Sequence, residues 1–252
     1  MRHKISVIKL LAIETTEKQG SISLSQRGGP LSYVALTSGQ RSAQSLVPTI
    51  RDTLIDNDWL VKSLDAVAVA TGPGSFTGLR VGLATARMLA YALGAKLVGV
   101  NTLQAIAANV CLGSQKASQI IEGQTITVAI DAQRGEVSAQ TFRLAPNRHF
   151  SRELFPEPID NRRLLTFDAW WDLAANDVSL LFSGPILERI AVCKPEHVSL
   201  VDESFWQPNA AGVAKVAWQR LLDGESDDLL TLQPYYSRLS AAEEKKLVQP
   251  AR

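Results

Sequence analysis

The sequence predicts an α/β protein of two lobes, each built from one copy of a duplicated unit. Two observations support this prediction. Strand-type apolar runs alternate with helical patterns along the chain, as they do in α/β folds. In addition, three short motifs recur in the same order at a separation of roughly 115 residues. The 252 residues suffice for two lobes of ordinary size.

The first half of the chain contains one complete unit. Strands are predicted over residues 5–13, 20–26 and 31–37. An amphipathic helix follows up to Ile55, because apolar residues recur from Ala43 at helical spacing. A strand over 64–70 then leads through the turn-forming Thr71–Ser75 into a helix over Phe76–Leu93, with Gly94 placed to end it.

The repeat consists of three pairs of segments. Residues 12–14 (AIE) match 129–131 (AID), residues 20–23 (GSIS) match 135–138 (GEVS), and residues 71–73 (TGP) match 183–185 (SGP). Each match is short, but their common order indicates duplication. The unit is a strand hairpin with an acid at its turn, then a helix, a strand and a Gly-Pro turn.

Two such lobes face each other across a cleft in the duplicated actin-like ATPase (ribonuclease H-like) fold. In that arrangement the hairpin acids, Glu14 and Asp131, hold Mg²⁺ through water beside a nucleotide. Glu14, Thr15 and Asp131 are therefore candidate cleft residues for ATP or ADP. The alternative, that both acids simply end their strands, stays open, and no cofactor is assigned.

We expect the first lobe to comprise residues 1–104 joined by about 208–240, and the second to comprise residues 105–207. Residues 241–252 form a charged tail. The connection between the lobes includes a helix over Asn101–Cys111, and a helix follows Pro208. Residues 146–163 are polar and contain prolines, which predicts a surface excursion.

The helix over Phe76–Leu93 is unusual because Arg80 and Arg87 are its only charged residues. Small residues recur on it every four positions, which allows another backbone to approach closely. This stripe either packs inside its own lobe or forms a subunit interface. The candidate interface residues on this helix and the one before it are Leu46, Ile50, Gly78, Leu79, Gly82, Leu83, Ala86 and Ala90.

Composition excludes several classes of function. The net charge of +1 gives no general attraction to nucleic acid or membranes. The apolar N-terminal run is interrupted by Lys9, so it does not resemble a signal peptide. Cys111 and Cys193 lie far apart in the sequence and are expected to be buried thiols in a cytoplasmic protein.

No motif in the sequence supplies catalytic or metal-binding chemistry. The histidines, His3, His149 and His197, are widely separated, and there is no H-x-x-x-H or C-x-x-C pair. The glycine-rich turn at 72–78 does not match a P-loop, a dinucleotide fingerprint or a nucleophile elbow. We therefore assign no catalytic residue and no metal ligand.

Four segments in order resemble the bacterial TsaB (YeaZ) family of tRNA threonylcarbamoyladenosine biosynthesis proteins. They are LAIETT at 11–16, GPGSFTGLRVG at 72–82, IDAQRGEV at 130–137 and PYYSR at 234–238. The sequence departs from the family pattern at Glu14, at Ser42–Ala43 and at Gln133, where the family usually has aspartate, His-Ser or His-Thr, and arginine. These departures weaken the cleft assignment.

The resemblance implies a non-catalytic subunit that binds and activates TsaD, a paralogue that transfers the threonylcarbamoyl group to tRNA. It also implies a third partner, the ATPase TsaE, a homodimer in isolation, and only indirect contact with tRNA. The alternative within the same fold is an ATP-binding phosphotransferase or ATPase. A glycoprotease-type peptidase is a more remote alternative.

Overall fold

The computed structural model describes residues 8–26, 29–37, 42–113, 121–150, 153–173, 177, 179–189 and 198–238. It contains two sheets. The first is formed by β1 (Lys9–Glu14), β2 (Ser21–Gln26), β3 (Gly29–Ala35), β4 (Ala66–Gly72) and β5 (Lys96–Asn101). The second is formed by β6 (Thr125–Asp131), β7 (Glu136–Pro146), β8 (Leu154–Pro158), β9 (Arg163–Thr166), β10 (Leu181–Ser183) and β11 (Ser199–Leu200).

The two sheets have the same topology. The first runs in the order β3-β2-β1-β4-β5 and the second in the order β8-β7-β6-β10-β11, with β9 also paired to β7. In each sheet the first two pairings are antiparallel and the last two are parallel. The predicted two-lobed, duplicated α/β fold is therefore confirmed.

Within the part of the chain that the structure describes, five helices cover the sheets: α1 (Ser42–Asp56), α2 (Phe76–Leu93), α3 (Thr102–Gly113), α4 (Phe167–Trp171) and α5 (Ala210–Leu222). The bounds of α2 agree with the prediction, and Gly94 ends it with a left-handed φ of 64°. A short 3-10 helix over Pro185–Arg189 follows the second Gly-Pro turn, where the repeat predicted a helix.

Strand alternation divides the first lobe into two cores, because successive side chains point to opposite faces of the sheet. Leu11 and Ile13 of β1 belong to the core that contains α1 and α2. Leu10 and Ala12 belong to the core that contains α5. The first sheet is thus covered on both faces, which explains its nearly uninterrupted apolar strands.

In the second lobe, α3 and Trp170 cover opposite faces of the sheet. Leu103, Ile106 and Val110 of α3 pack against the core around Ile126. Trp170 is fully buried in the other core and donates a hydrogen bond from Nε1 to Thr127 Oγ1 at 2.9 Å. Because α3 contacts both sheets, the domain boundaries predicted at residues 104 and 207 stay predictions.

One predicted element was wrong. Residues 146–163 are not only a surface excursion, because they contain β8, which pairs with β7 and buries Phe155. Pro156 and Pro158 lie in this strand, which is last in the order of the described strands, and proline is tolerated in edge strands. The predicted tail 241–252 and Cys193 lie outside the described residues, whereas Cys111 is buried.

Candidate functional site

Glu14, the acid at the end of β1, is completely buried and does not line the cleft between the lobes. Its Oε1 accepts hydrogen bonds from the backbone N–H and the hydroxyl of Thr16, whereas its Oε2 has no hydrogen-bond partner. Burial raises the pKa of this carboxyl to about 8, although the Thr16 hydrogen bonds oppose the shift. Burial therefore favours the protonated form of Glu14 near neutral pH.

Thr15 is also buried and points toward α2. Its hydroxyl donates a hydrogen bond of 2.8 Å to the carbonyl oxygen of Gly78. It therefore joins the hairpin turn to the first turn of α2. Glu14 and Thr15 thus lie behind the cleft lining, and their assignment as cleft residues stays a prediction.

Asp131, the acid of the second hairpin, does line the cleft. Its Oδ1 accepts a hydrogen bond of 2.7 Å from the backbone N–H of Gln133, and its Oδ2 pairs with the guanidinium of Arg189. Asp131 thus already has a cationic partner from its own lobe. Of the two hairpin acids, Asp131 lines the cleft and Glu14 is buried.

The cleft itself has a volume of about 620 Å³. It is lined by four short segments: residues 16–18 of the first hairpin, 73–76 before α2, 130–134 of the second hairpin and 236–238 near the C-terminal end. Both charge signs occur among them, with the acids Glu17 and Asp131 and the bases Lys18, Arg134 and Arg238.

Glu17 is the cleft residue that the sequence analysis missed. Burial raises the pKa of its carboxyl to about 7, and the nearby Glu188 adds to the shift, partly offset by Lys18. Asp131 contributes a smaller increase. The sequence signal for this residue was the second acid of the stretch Glu14–Lys18. Glu17 directly follows the Thr15–Thr16 pair.

The described residues offer no alternative metal site. Among residues 8–26, 29–37, 42–113 and the described parts beyond, no three His, Cys, Asp or Glu side chains are grouped so that they could hold a metal ion. His149 lies at the surface, with its Nε2 2.7 Å from Asp223 Oδ1. This contact joins the turn after β7 to the end of α5.

The small-residue stripe of α2 faces the hairpin turn of its own lobe. A Cβ atom at Gly78 would lie 1.8 Å from the carbonyl oxygen of Thr15, and one at Gly82 would lie 2.3 Å from the Thr15 hydroxyl. All eight predicted interface residues are buried within the chain: Leu46, Ile50, Gly78, Leu79, Gly82, Leu83, Ala86 and Ala90. In the isolated chain these side chains present no surface and the stripe packs internally, and the interface assignment stays a prediction.

The outward sides of the same two helices carry large apolar side chains in water. Val47 and Ile55 of α1 are 59% and 64% exposed, and Met88 and Tyr91 of α2 are 68% and 75% exposed. We call these four residues the α1–α2 face. Exposed apolar side chains that recur on neighbouring helices are typical of protein interaction surfaces.

Comparison with known proteins finds proteins that are similar to this chain. Residues 34–151 match the family model "TsaD: tRNA N6-adenosine threonylcarbamoyltransferase". The Escherichia coli protein named "tRNA threonylcarbamoyladenosine biosynthesis protein TsaB" is 25% identical over 243 residues, which cover 94% of this chain and 98% of that protein. The Bacillus subtilis protein of the same name is also 25% identical, covering 94% of this chain and 96% of that protein.

The chain is similar to TsaB proteins over nearly all of its length. The resemblance seen in the sequence is thereby confirmed. The Pseudomonas aeruginosa structure called YeaZ shares the fold, with a TM-score of 0.72 and 23% identity over 91% of this chain and 99% of that one. A second structure, described as similar to peptidase YEAZ from Pseudomonas aeruginosa, gives a TM-score of 0.74 at 24% identity, covering 92% of this chain and 100% of that one.

The TsaB-like fold includes no helix, within the described residues, that has the length and apolar character needed to cross a membrane.

Proposed function

We propose that this chain is a non-catalytic subunit in the biosynthesis of threonylcarbamoyladenosine on tRNA. It binds a TsaD-type transferase through the α1–α2 face and thereby activates it. The names of the similar proteins from Escherichia coli and Bacillus subtilis support the pathway. The exposed apolar side chains of the α1–α2 face are the observation that supports a binding role.

The geometry of the cleft favours a binding subunit over an ATP-dependent phosphotransferase. Such an enzyme needs ionised acids at the cleft to position Mg²⁺. Glu14 is buried away from the cleft, burial raises its pKa to about 8, and Asp131 is paired with Arg189. In isolation, we expect the chain to cover the same face by forming a homodimer. TsaE joins the complex through a contact that we leave unassigned.

Substitutions on the α1–α2 face test this proposal. Met88→Asp and Tyr91→Asp place a charge on an apolar interface and leave the core of the lobe untouched, since both side chains are exposed. Loss of a central apolar contact costs about 2 kcal/mol in binding, which corresponds to about 30-fold weaker association. Leu164→Asp, on exposed β9 of the other lobe, is the matched control.

The assay mixes each purified variant with TsaD from the same organism. Size-exclusion chromatography with light scattering reports heterodimer formation, and tRNA modification is assayed with and without the chain. We expect the Leu164→Asp control and the original chain to form the heterodimer and stimulate modification, and the two face variants to lose both properties. Equal binding by Met88→Asp, Tyr91→Asp and the original chain would place the interface elsewhere. Absence of any complex with TsaD would overturn the proposal itself.

A further inference from the structure

The segment after α5, residues 227–238, runs along the edge of the first sheet. Asp227 forms a bridge with Leu97 of β5, and its Oδ2 accepts a hydrogen bond of 2.7 Å from the backbone N–H of Gly99. Leu232 packs so closely on Gly99 that a Cβ atom there would lie 2.7 Å from the leucine Cδ1. The segment is therefore fixed to the edge strand by both backbone and side-chain contacts.

The same segment also holds the start of α2. The backbone N–H of Tyr235 donates a hydrogen bond of 2.7 Å to the carbonyl oxygen of Thr71, at the end of β4. The ring of Tyr236 stacks on Phe76 with centroids 4.8 Å apart, and its hydroxyl accepts a hydrogen bond of 3.2 Å from Arg80 Nε. These contacts secure the loop that lines the first-lobe side of the cleft.

Two contacts then join this segment to the second lobe. The guanidinium of Arg162, which precedes β9, lies 3.7 Å from the centre of the Tyr235 ring. The guanidinium of Arg238 pairs with the carboxylate of Glu136 at the start of β7. Tyr235 is thus bound to both lobes, and its neighbours Tyr236 to Arg238 line the cleft.

We propose that residues 227–238 form a strap that holds the two lobes at a fixed closure and so controls access to the cleft between them. Each lobe has its own sheet, and the core that joins the lobes, from Leu10 of β1 to Phe155 of β8, includes no residue of the strap, so the strap can be released from the second lobe without unfolding either. This proposal concerns the isolated chain and does not depend on the proposed partner.

The test releases the second-lobe end of the strap with the double variant Arg162→Ala/Arg238→Ala. A second variant exchanges the charges of the ion pair, Glu136→Arg/Arg238→Glu, and keeps an attractive contact between the same positions. Arg148→Ala is the matched control, because it breaks an exposed ion pair with Glu157 that lies within the second lobe. Circular dichroism verifies that every variant is folded.

Pulsed electron paramagnetic resonance measures the distance between spin labels at Asp56 and Leu164, which are both exposed and lie in different lobes. All labelled variants also carry Cys193→Ser, so that this thiol is not labelled. We expect a narrow distance distribution for the original chain, the control and the charge exchange, and a longer or broader one for the double variant. Hydrogen exchange of the Ser75 N–H, which bonds to the Thr16 carbonyl oxygen within the first-lobe lining of the cleft, should rise about tenfold in the double variant.

An unchanged distance distribution in the double variant would overturn the proposal. A charge-exchange variant with the same distance distribution as the double variant would also overturn it. If the double variant does not fold, Arg162→Met, which keeps the length of the side chain, is measured in the same way. A distance distribution for Arg162→Met as narrow as that of the original chain would also count against the proposal. None of these measurements includes TsaD, so their outcome is separate from that of the partner-binding assay.

Discussion

Replacing Gly78 by alanine tests whether the small residues of α2 serve internal packing. The residue is buried at the first turn of the helix, directly over the hairpin turn that follows β1. An alanine Cβ would lie 1.8 Å from the backbone oxygen of Thr15. It would also disturb the hydrogen bond of 2.8 Å from the Thr15 hydroxyl to the Gly78 carbonyl.

The expected change in the free energy of unfolding is the sum of one favourable and two unfavourable contributions. Alanine gains about 1 kcal/mol over glycine in a helix interior. Overpacking a tight site costs about 1–3 kcal/mol, and the upper end applies here because a backbone atom must move. Disturbing a buried hydrogen bond adds about 1 kcal/mol. Gly78→Ala should therefore lower the free energy of unfolding by about 2–3 kcal/mol, which lowers the Tm by about 4–12 °C for a chain of this size.

Gly82→Ala is the matched comparison, because its Cβ would meet the Thr15 hydroxyl, 2.3 Å away, and not the backbone. A side-chain oxygen can be removed by mutation, so Thr15→Ala should restore stability to Gly82→Ala but not to Gly78→Ala. Thermal unfolding of the two single variants, of Thr15→Ala and of the two double variants gives the coupling energies. If Gly78→Ala unfolds at the same temperature as the original chain, α2 does not pack on the hairpin as described.

Three further predictions concern buried polar groups. The folded chain keeps a proton on Glu14 up to about pH 8, whereas the unfolded chain releases it near pH 4.5. The free energy of unfolding should therefore fall as the pH rises between these values. Glu14→Gln should reduce that fall, as measured by denaturant titrations across the pH range. Trp170→Phe removes the buried hydrogen bond to Thr127 and should lower the free energy of unfolding by about 2 kcal/mol, whereas an unchanged urea midpoint would contradict this. Lys215→Met should lower the free energy of unfolding by under about 1 kcal/mol, but Glu153→Ala should lower it by about 3 kcal/mol. Only Glu153→Ala leaves a buried ammonium group without its carboxylate partner. Equal urea midpoints for the two variants would refute the argument.

The duplicated fold could be predicted because its signal is distributed over the chain. The three recurring motifs fall at the hairpins of the two sheets and at the turns after β4 and β10, so they mark equivalent positions of one topology. Residues 154–158 gave no such signal, because two prolines hide the strand pattern. Their pairing with β7 depends on tertiary contacts that the local sequence does not encode.

The position of the hairpin acid could not be predicted for a related reason. Alternation along β1 places Glu14 on the same face as Ala12, the face covered by α5. Ser21, opposite Glu14, accepts a hydrogen bond from the backbone N–H of Ala210 at the start of that helix. The burial of Glu14 thus depends on a helix almost two hundred residues away, which the motif around Glu14 does not reveal.

Periodicity showed which residues of α2 share a side, but it did not show which side meets the sheet. The helix is apolar nearly all round, so both its small-residue stripe and its large apolar residues could have faced a partner. The structure separates the two sides, with Gly78 and Gly82 against Thr15 and with Met88 and Tyr91 in water. Because the small residues of α2 pack closely on the hairpin turn, its larger side chains Met88 and Tyr91 lie on the outer side of the helix. Substitutions should therefore divide cleanly, with those in the stripe changing stability in the isolated chain and those on the α1–α2 face changing association alone.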